Sequence, residues 1–465
     1  MAANKEILDF DPDLLRNKYR EERDKRLRSD GNDQYQEVEG DFTYFVDDPY
    51  VDEKIERNSI TDEIEVAIIG GGFGGILAAA RLKEAGIEDF KIFEKGGDFG
   101  GTWYWNRYPG ASCDIESYIY FPLLEQTKFI PKQKYTNAPE TLEYIGVIAE
   151  KYGLKERAVF QTEITEVTWS DEKKLWNIST NKGDSINAKF VVHSNGPLNR
   201  PKLPAIEGID KYQGHTFHTS RWDYKFTGGS AKGNLDGLND KKVAIIGTGA
   251  TAVQCIPHLG ESAQELFVFQ RTPSSIDERN NKDTDESWFE SLQPGWHEKR
   301  RENFEGFLTG SFQKEDLVND GWTEIFRTIL GSIRNNAPSK LRFAYWALGG
   351  IFSKRFYRLG LKDYMMEKFI DYVGKDNLSN QVEMVDFAKM EKIRARANEI
   401  VKDPETAESL KPYYRQFCKR PCFHDEYLKT YNRDNVTLVD TNGKGLEKIT
   451  EKGIYFEGKE YEVDC

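Results

Sequence analysis

Two stretches of the chain share the same order of hydrophobic and polar positions. From residue 64, the β-branched run IEVAII meets a glycine cluster, and the amphipathic stretch ILAAARLKEAG follows. From residue 241, KKVAII meets the turn GTGA, and the apolar-periodic stretch TAVQCIPHL follows. Each pattern predicts a strand, a tight turn and a helix, and a further strand comes next, DFKIFEK or ELFVFQR. Alternating strands and helices of this kind indicate an α/β fold.

The remaining segments have other patterns. Residues 1–60 predict a helix with a mixed charged face and then a polar, acidic loop, and residues 160–192 predict an antiparallel excursion. Residues 280–400 place charged and aromatic residues at helical spacing. The predicted organisation is an N-terminal extension (1–60), a first domain (61–211), a linker (212–223), a second domain (224–400) with a helical insertion at 280–400, and an incomplete return to the first domain (401–465).

Composition narrows the class of protein. A chain of 465 residues with 38% hydrophobic residues can bury two or three cores, and its net charge of -13 argues against nucleic acid or an anionic membrane as a partner. The five cysteines show no metal-ligand spacing, and the charged N-terminus is not a signal peptide, so we expect a cytoplasmic protein without a metal site. The longest apolar run, at 343–352, is too short to span a membrane; it suits an apolar pocket or ordinary helix core.

The first glycine turn carries the pattern of a dinucleotide site. Gly70, Gly72 and Gly75 follow a predicted strand and open a predicted helix, where glycines permit a tight turn and close approach of the backbone to a pyrophosphate. Glu94 ends the next strand, in position to accept hydrogen bonds from a ribose. We interpret this unit as an FAD-binding, Rossmann-like domain; the alternative is a glycine-rich turn without a ligand.

The second glycine turn differs from the first at the end of its next strand. Gly247, Gly249 and Ala252 form the turn, but Arg271 stands where an acid would repel a 2′-phosphate. We therefore interpret this unit as an NADPH-binding domain, although Arg271 could be an ordinary exposed arginine. Two dinucleotide sites in one chain indicate electron transfer from a nicotinamide to a flavin.

Two further stretches, GGTWYWNRYPGASCD at 100–114 and YQGHTFHTSRWD at 212–223, resemble signatures of the flavin-dependent Baeyer–Villiger monooxygenases. The linker fingerprint of that family matches at Tyr212, Gly214, His218, Trp222 and Asp223. The earlier signature matches at Gly100, Gly101, Trp103, Tyr108, Pro109, Gly110 and Asp114. The resemblance runs from about residue 60 to the last residue, and the subgroup acting on cyclopentadecanone and polycyclic ketones is the most similar.

The resemblance implies roles for individual residues. Gly101, Thr102 and Trp103 would contribute to the flavin site together with Asp114. In the stretch CKRPCFHDEYLKTYNRDNV, Lys419 would help to hold the NADP 2′-phosphate, and Arg420 would be the active-site arginine, partnered by Asp114. His218 would fix the linker between the two domains rather than act as a base, and Trp222 could serve packing alone.

The implied reaction converts a bulky cyclic ketone and O2 to an ester or lactone through a C4a-peroxyflavin. An arginine suits the site because it keeps its proton while it stabilises the developing oxyanion, and a carboxylate would aim it. Three alternatives stay open: Asp114 and Arg420 as a structural ion pair, a flavin monooxygenase that oxidises sulfur or nitrogen, and an inactive nucleotide-binding paralogue.

The sequence also differs from the family pattern at two places. The family continues beyond the VDC motif with a segment that closes the flavin domain, whereas this chain stops at Cys465, so we expect a truncated sequence with weak flavin retention. Asn195-Gly196 replaces the usual pair of small residues after the third predicted parallel strand. Because the glycine is kept, we expect that turn to survive.

Overall fold

The computed structural model describes residues 10–309, 311, 313–336 and 375–465. The strands in chain order are β1 (Tyr35–Gln36), β2 (Thr61–Ile69), β3 (Phe90–Phe93), β4 (Ala158–Val159), β5 (Ile164–Ser170), β6 (Leu175–Thr180), β7 (Ser185–His193), β8 (Leu203–Pro204), β9 (Lys242–Ile246), β10 (Glu265–Gln270), β11 (Ile276–Asp277), β12 (Cys422–Phe423), β13 (Val436–Asp440), β14 (Lys448–Ile449), β15 (Gly453–Phe456) and β16 (Lys459–Glu462). The apolar run at 343–352, considered above as a pocket wall, lies outside the described residues.

The helices surround these strands. In chain order they are α1 (Pro12–Asp24), α2 (Phe73–Glu84), α3 (Thr102–Trp105), α4 (Ser117–Tyr120), α5 (Leu124–Thr127), α6 (Ala138–Lys151), α7 (Tyr224–Thr227), α8 (Ala250–Ser262), α9 (Glu286–Glu290), α10 (Trp296–Leu308), α11 (Gly321–Asn336), α12 (Lys375–Ile400), α13 (Pro404–Ser409) and α14 (Tyr427–Thr430). The described parts of the predicted helical insertion, at α9 to α12, are thus largely helical.

The first sheet has six strands in the order β4-β3-β2-β7-β6-β5. Strands β4, β3, β2 and β7 are parallel, whereas β6 and β5 pair antiparallel at one edge, in the region where an antiparallel excursion was predicted. Strand β2 becomes almost wholly buried towards its carboxyl end, where Ala67 and Ile68 have no exposed surface. Its apolar run lies between strands on both sides, which is typical of a central parallel strand.

The second sheet consists of β13, β10 and β9 in that order, all parallel. Its helix α8 packs in the same cluster of buried side chains as α2, which includes Ile76 of α2 and Ile256 of α8. The two units therefore share a packed core. The prediction of an α/β fold with two Rossmann-like domains is confirmed.

The prediction that residues 401–465 return to the first domain is wrong for the strands of that segment. Strand β13 pairs with β10 of the second sheet, and the last residues run beside β9, where Ala244 N–H donates to the carbonyl of Cys465 at 2.8 Å. The strand VTLVD is apolar enough for either sheet, so its composition does not select a partner.

The N-terminal extension packs on the rest of the protein. Asp11 caps α1 by accepting from the backbone N–H of Asp13 and Leu14, and Arg16 on this helix pairs with Glu383 of α12 at 2.7 Å. Strand β1 pairs antiparallel with β8. The extension is thus tied to distant parts of the chain. Within the described ranges, every helix is too short or too polar to traverse a lipid bilayer.

A buried ion pair ties the start of β2 to the β6–β7 turn. Both terminal nitrogens of Arg57 donate to the Asp184 carboxylate at 2.6 Å, and that carboxylate also accepts from the Thr180 hydroxyl at 2.6 Å and from Ile60 N–H at 2.7 Å. The bonds from Arg57 are the main reason why the pKa of Asp184 lies below its usual value. Four donors on one buried carboxylate hold the antiparallel edge against the parallel core.

Arg57→Ala should lower the free energy of unfolding at pH 7 by about 3 kcal/mol, because it leaves a buried carboxylate without its cation. The pair stabilises the fold above the unfolded-state pKa of an aspartate, about 4, and its contribution is lost as the pH falls towards the lower folded-state pKa. Urea denaturation at pH 7 and pH 3.5 should therefore show a smaller difference between variant and wild type at the lower pH. Arg200→Ala, which removes an exposed arginine, is the control; an equal loss in both variants would contradict this account.

Candidate active site and nucleotide sites

One cavity of about 530 Å³ lies at the carboxyl ends of β2 and β3. Seven residues of the first glycine turn, its strand-end acid and the 100–114 signature line it: Gly70, Gly72, Glu94, Gly100, Gly101, Thr102 and Trp103. Ligands of parallel α/β sheets bind at this edge, outside the carboxyl ends of the strands. The cavity is also lined by Asn195 and Gly196, the pair that departs from the family pattern.

The glycines of the first turn are required by close contacts. Gly70 has a φ of +102°, and a Cβ atom there would lie 2.5 Å from the carbonyl oxygen of Ser194. Gly75 does not line the cavity; a Cβ atom on it would lie 1.9 Å from the carbonyl oxygen of Gly70. Gly75 therefore lets α2 pack against the turn, whereas Gly70 and Gly72 lie at the cavity wall.

The Glu94 carboxylate is buried beside the same turn. It accepts hydrogen bonds from Gly71 N–H at 2.6 Å and from Gly96 N–H at 2.7 Å, and burial raises its pKa. The side chain thus bridges the glycine turn and the end of β3 while it lines the cavity.

A second cavity, of about 500 Å³, lies against the second sheet. Gly247 and Arg271 line it together with three residues of the linker fingerprint, Tyr212, His218 and Trp222. Gly247 has a φ of +104°, and a Cβ atom on Gly247 or Gly249 would meet open space. The turn therefore leaves room for a ligand next to its backbone. Ala252 is buried in the first part of α8.

Lys419 does not line the second cavity itself, but it lies close to Arg271, which does. Its ammonium donates to the carbonyls of Thr272 at 3.2 Å and Pro273 at 3.3 Å. Burial, and then the nearby Arg26 and Arg271, lower the pKa of Lys419 to about 8. The structure thus brings Lys419 and Arg271 together, as two cations beside the second cavity.

The linker fingerprint is held by its own hydrogen bonds. Nδ1 of His218 accepts from Ser220 N–H at 3.1 Å, and burial lowers the pKa of His218 to about 4, so the imidazole is neutral at pH 7. Trp222 is buried and its indole donates to Thr227 at 3.0 Å, while Asp223 caps α7. At Gly214 a Cβ atom would lie 2.2 Å from the Tyr212 hydroxyl oxygen. The glycine is needed for this close packing.

The Tyr212 hydroxyl in turn donates to the carbonyl of Val463 at 3.0 Å. The linker is therefore anchored to the segment that runs along β9. The fingerprint motif alone could not predict this hydrogen bond, because Val463 lies 251 residues after Tyr212 in the sequence.

Asp114 lies between two arginines from distant parts of the chain. Its carboxylate accepts from Nη2 of Arg279 at 2.8 Å and from Nε of Arg420 at 3.1 Å. The side chains of Asp114 and Arg279 are 8% and 9% exposed, whereas that of Arg420 is 58% exposed. One carboxylate with two guanidinium groups leaves a net positive charge, and Arg420 is the cation that remains open to a ligand.

Comparisons with known proteins place this geometry in a family. Residues 67–290 match the family described as pyridine nucleotide-disulphide oxidoreductase. The chain is 48% identical over 461 residues to the Baeyer–Villiger monooxygenase ATR8 of Stachybotrys chlorohalonatus. The aligned region covers 99% of this chain and 69% of that protein. The chain belongs to the Baeyer–Villiger monooxygenases.

Other relatives agree with this assignment. The monooxygenase is 47% identical over 456 residues to neopentalenolactone D synthase of Streptomyces avermitilis, with coverage of 98% of this chain and 71% of that protein. A solved structure of polycyclic ketone monooxygenase from Thermothelomyces thermophila has a TM-score of 0.82 at 35% identity, with coverage of 97% of this chain and 71% of that one. The predicted family and the flavoprotein monooxygenase class are thereby confirmed. Two further solved structures, a steroid monooxygenase bound to NADP (29% identity, TM-score 0.65) and OTEMO in complex with FAD and NADP (26% identity, TM-score 0.61), confirm the predicted cofactors.

The two cavities fit two dinucleotides. Each lies beside a glycine turn with positive φ, and each turn follows a parallel strand and opens a helix. The first has a buried acid at the next strand end and the second has an arginine there. This difference in charge matches a dinucleotide with a free ribose in one cavity and one with a 2′-phosphate in the other.

Sequence reasoning missed Arg279. Besides Asp114, it contacts Ser112, and its Nε donates to the carbonyl of Phe423 at 3.1 Å. It follows β11 in a polar stretch, DERNNKD, that carries no recognisable motif. Only the packing of β11 beside β12 brings this residue next to the segment that carries Arg420.

Trp322 was missed for the same reason. Its indole donates to the backbone carbonyl of Asp114 at 3.1 Å, and the guanidinium of Arg420 lies 6.0 Å from the centre of its ring. The residue lies in the first turn of α11, in the predicted helical insertion. That insertion therefore contributes a wall beside Arg420.

Arg279→Met should lower kcat for ketone oxygenation by about 10²-fold, because Asp114 loses the cation that holds it and no longer aims Arg420. The KM for NADPH should change little. Steady-state product formation and H2O2 release per NADPH oxidised would be measured together, and we expect more H2O2 in the variant. Arg279→Lys should restore part of the rate, whereas Arg301→Met, an exposed arginine of α10, should behave like wild type. Normal coupling in Arg279→Met would contradict this positioning role.

Proposed function

We propose that this monooxygenase inserts one oxygen atom from O2 next to the carbonyl of a bulky cyclic ketone and releases a lactone. The observation that carries this proposal is the exposed Arg420 cation held by the buried carboxylate of Asp114. Names of relatives support a large substrate: one is a ketocytochalasin monooxygenase and another a polycyclic ketone monooxygenase.

We assign FAD to the first cavity. Gly70 and Gly72 would face its pyrophosphate, Glu94 its ribose, and Gly101, Thr102 and Trp103 would line the remainder, while Gly75 supports the turn. Bound and reduced by NADPH, FAD would activate O2, so that one oxygen atom enters the substrate and the other leaves as water. Tyr120 has no proposed contact with FAD. Its hydroxyl accepts a hydrogen bond from the Trp103 indole at 3.0 Å and so fixes the orientation of the Trp103 ring.

We assign NADPH to the second cavity. Gly247, Gly249 and the buried Ala252 would form its pyrophosphate turn, and Arg271 and Lys419 would bind its 2′-phosphate as cations. Of the linker fingerprint, Tyr212, His218 and Trp222 would form a wall of this cavity, while Gly214 and Asp223 would hold the linker in shape. None of the five would act as an acid or a base. The neutral His218, already bonded to Ser220, fits a structural role.

Arg420 has the central chemical role in this proposal. Its guanidinium would donate to the oxygen of the substrate carbonyl as negative charge develops there, and it would keep its own proton because an arginine does not deprotonate in proteins. Asp114 and Arg279 would fix its position beforehand. A fixed cation of this kind lowers the barrier without reorganisation at the moment of reaction.

A flavin monooxygenase that oxidises sulfur or nitrogen is the second candidate. Such a reaction needs no cation for a carbonyl oxygen, so the exposed Arg420 beside the buried Asp114 favours ketone oxidation. The two candidates can be distinguished by offering the enzyme a cyclic ketone and an organic sulfide under the same conditions.

We expect lactones from the holoenzyme, supplied with FAD, NADPH and O2, when it is incubated with cyclic ketones that range from cyclohexanone to macrocyclic and steroidal compounds. Mass spectrometry of the products, with an aryl sulfide in parallel, makes the comparison. Arg420→Ala should lose lactone formation by at least about 10²-fold and still oxidise NADPH. Arg415→Ala, an exposed arginine that pairs with Glu383, is the matched control. Sulfoxide without any lactone would overturn the proposal in favour of the second candidate.

The low pKa of Lys419 predicts how NADP binding depends on pH. Lys419 is protonated below about pH 8 and loses its charge as the pH rises through that value, so affinity for a 2′-phosphate should fall by up to about tenfold between pH 7 and pH 9. Isothermal titration with NADP⁺ would measure this change. Lys419→Arg should remove most of the decline, because arginine stays charged; an unchanged decline in that variant would exclude Lys419 as its source.

A further inference from the structure

The end of α1 and the residues after it lie against the carboxyl ends of two strands of the second sheet. Lys25 donates to the Asn442 side chain, two residues after β13, at 3.3 Å. Arg26 donates from Nε to the Thr272 hydroxyl, two residues after β10, at 3.0 Å. Gln34 accepts from Nη1 of Arg271 at 2.8 Å. The extension therefore covers the edge of this sheet at which ligands of parallel α/β folds bind.

This segment brings two arginines to the cations already assigned to the 2′-phosphate. Arg28 lines the second cavity together with Arg271, and a Cβ atom placed on Gly445 would be 3.6 Å from Nη1 of Arg28 and 3.9 Å from Cδ of Arg271. Arg26 bonds the side chain of Thr272, whose carbonyl accepts from Lys419 at 3.2 Å. Each assigned cation thus has an arginine of the extension as a near neighbour.

Two carboxylates hold these arginines in place. Glu22 accepts from Arg26 at 2.6 Å and also pairs with Lys25 at 2.9 Å and Lys18 at 3.0 Å. Asp30 accepts from Nε of Arg28 at 2.8 Å. One carboxylate shared by three cations leaves positive charge in excess around Arg26.

The local charge runs against that of the whole chain. The ionic groups in contact at this edge are the cations Lys18, Lys25, Arg26, Arg28, Arg271 and Lys419 and the carboxylates Glu22, Asp30 and Asp440. At its margin lie Lys202, which pairs with Glu37, and Glu408, which is near Lys18. Cations outnumber carboxylates in this cluster, although the chain carries a net charge of -13. A concentration of guanidinium groups at a ligand-binding edge is the arrangement that binds a phosphate dianion.

We propose that Arg26 and Arg28 bind the 2′-phosphate of the nicotinamide dinucleotide together with Arg271 and Lys419. The inference rests on the assignment of NADPH to the second cavity and adds the N-terminal extension to that site. The extension then determines the preference for a 2′-phosphorylated nucleotide, and the pairs with Glu22 and Asp30 orient the arginines before the nucleotide binds.

The test uses the full chain loaded with FAD and two small probes, 2′,5′-ADP and 5′-AMP. Isothermal titration gives the Kd of each probe for wild type, Arg26→Gln, Arg28→Gln and the double variant. Arg23→Gln is the matched control, because Arg23 lies in the last turn of α1, just before Arg26, pairs with Asp24 and has a 63% exposed side chain. Thermal unfolding without a probe shows whether each variant folds as wild type does.

We expect each single variant to bind 2′,5′-ADP about tenfold more weakly than wild type and the double variant to bind it more weakly still. The Kd of 5′-AMP should not change, and Arg23→Gln should match wild type for both probes. Wild-type affinity for 2′,5′-ADP in the double variant, with a loss in Arg271→Gln, would overturn the inference and leave the NADPH site intact. Equal weakening of both probes would also overturn it, since it would indicate a structural role.

A different result would count against the assignment on which the inference rests. If wild type and Arg271→Gln bind 2′,5′-ADP no more tightly than 5′-AMP, the second cavity does not hold a 2′-phosphate. The inference about Arg26 and Arg28 is then wrong together with that assignment.

Discussion

The buried carboxylate of Asp114 links the parts of the chain on which the proposed chemistry depends. It belongs to the first unit, Arg279 follows β11, and Arg420 comes from the segment beyond the helical region. A buried carboxylate destabilises the fold unless cations or hydrogen-bond donors surround it. The same requirement that stabilises Asp114 therefore holds Arg420 at a defined place, while the Arg420 side chain stays 58% exposed.

The glycine turns impose a second constraint, on where the cavities lie. Gly75 allows α2 to approach the backbone of Gly70, and Gly70 itself needs a positive φ and contact with Ser194. At Gly247 the positive φ is kept, but the space beside it is open. The two turns are thus alike in backbone and different in surroundings, which agrees with two different nucleotides.

Much of this arrangement could be predicted from the sequence, because local rules govern it. A strand, a turn with glycines at fixed spacing and a helix are encoded within about thirty residues, and Glu94 or Arg271 stands at a fixed place in each unit. The signature residues around Asp114 and His218 were likewise enough to predict the family from the sequence. The sequence led to a wrong domain assignment for β13 and the C-terminal segment, and it did not reveal Arg279 and Trp322 as site residues. In each case the decisive contacts join residues that are far apart in the sequence.

The sequence by itself determined the two nucleotide units, the charge difference between them, and the family. The tertiary structure alone decided which sheet receives β13, which second arginine holds Asp114, and where the N-terminal extension lies. An apolar strand such as VTLVD satisfies any parallel sheet, and an arginine in a polar loop can pair with any carboxylate that folding brings near it. These choices depend on contacts between residues tens to hundreds of positions apart, so only the packed chain contains them.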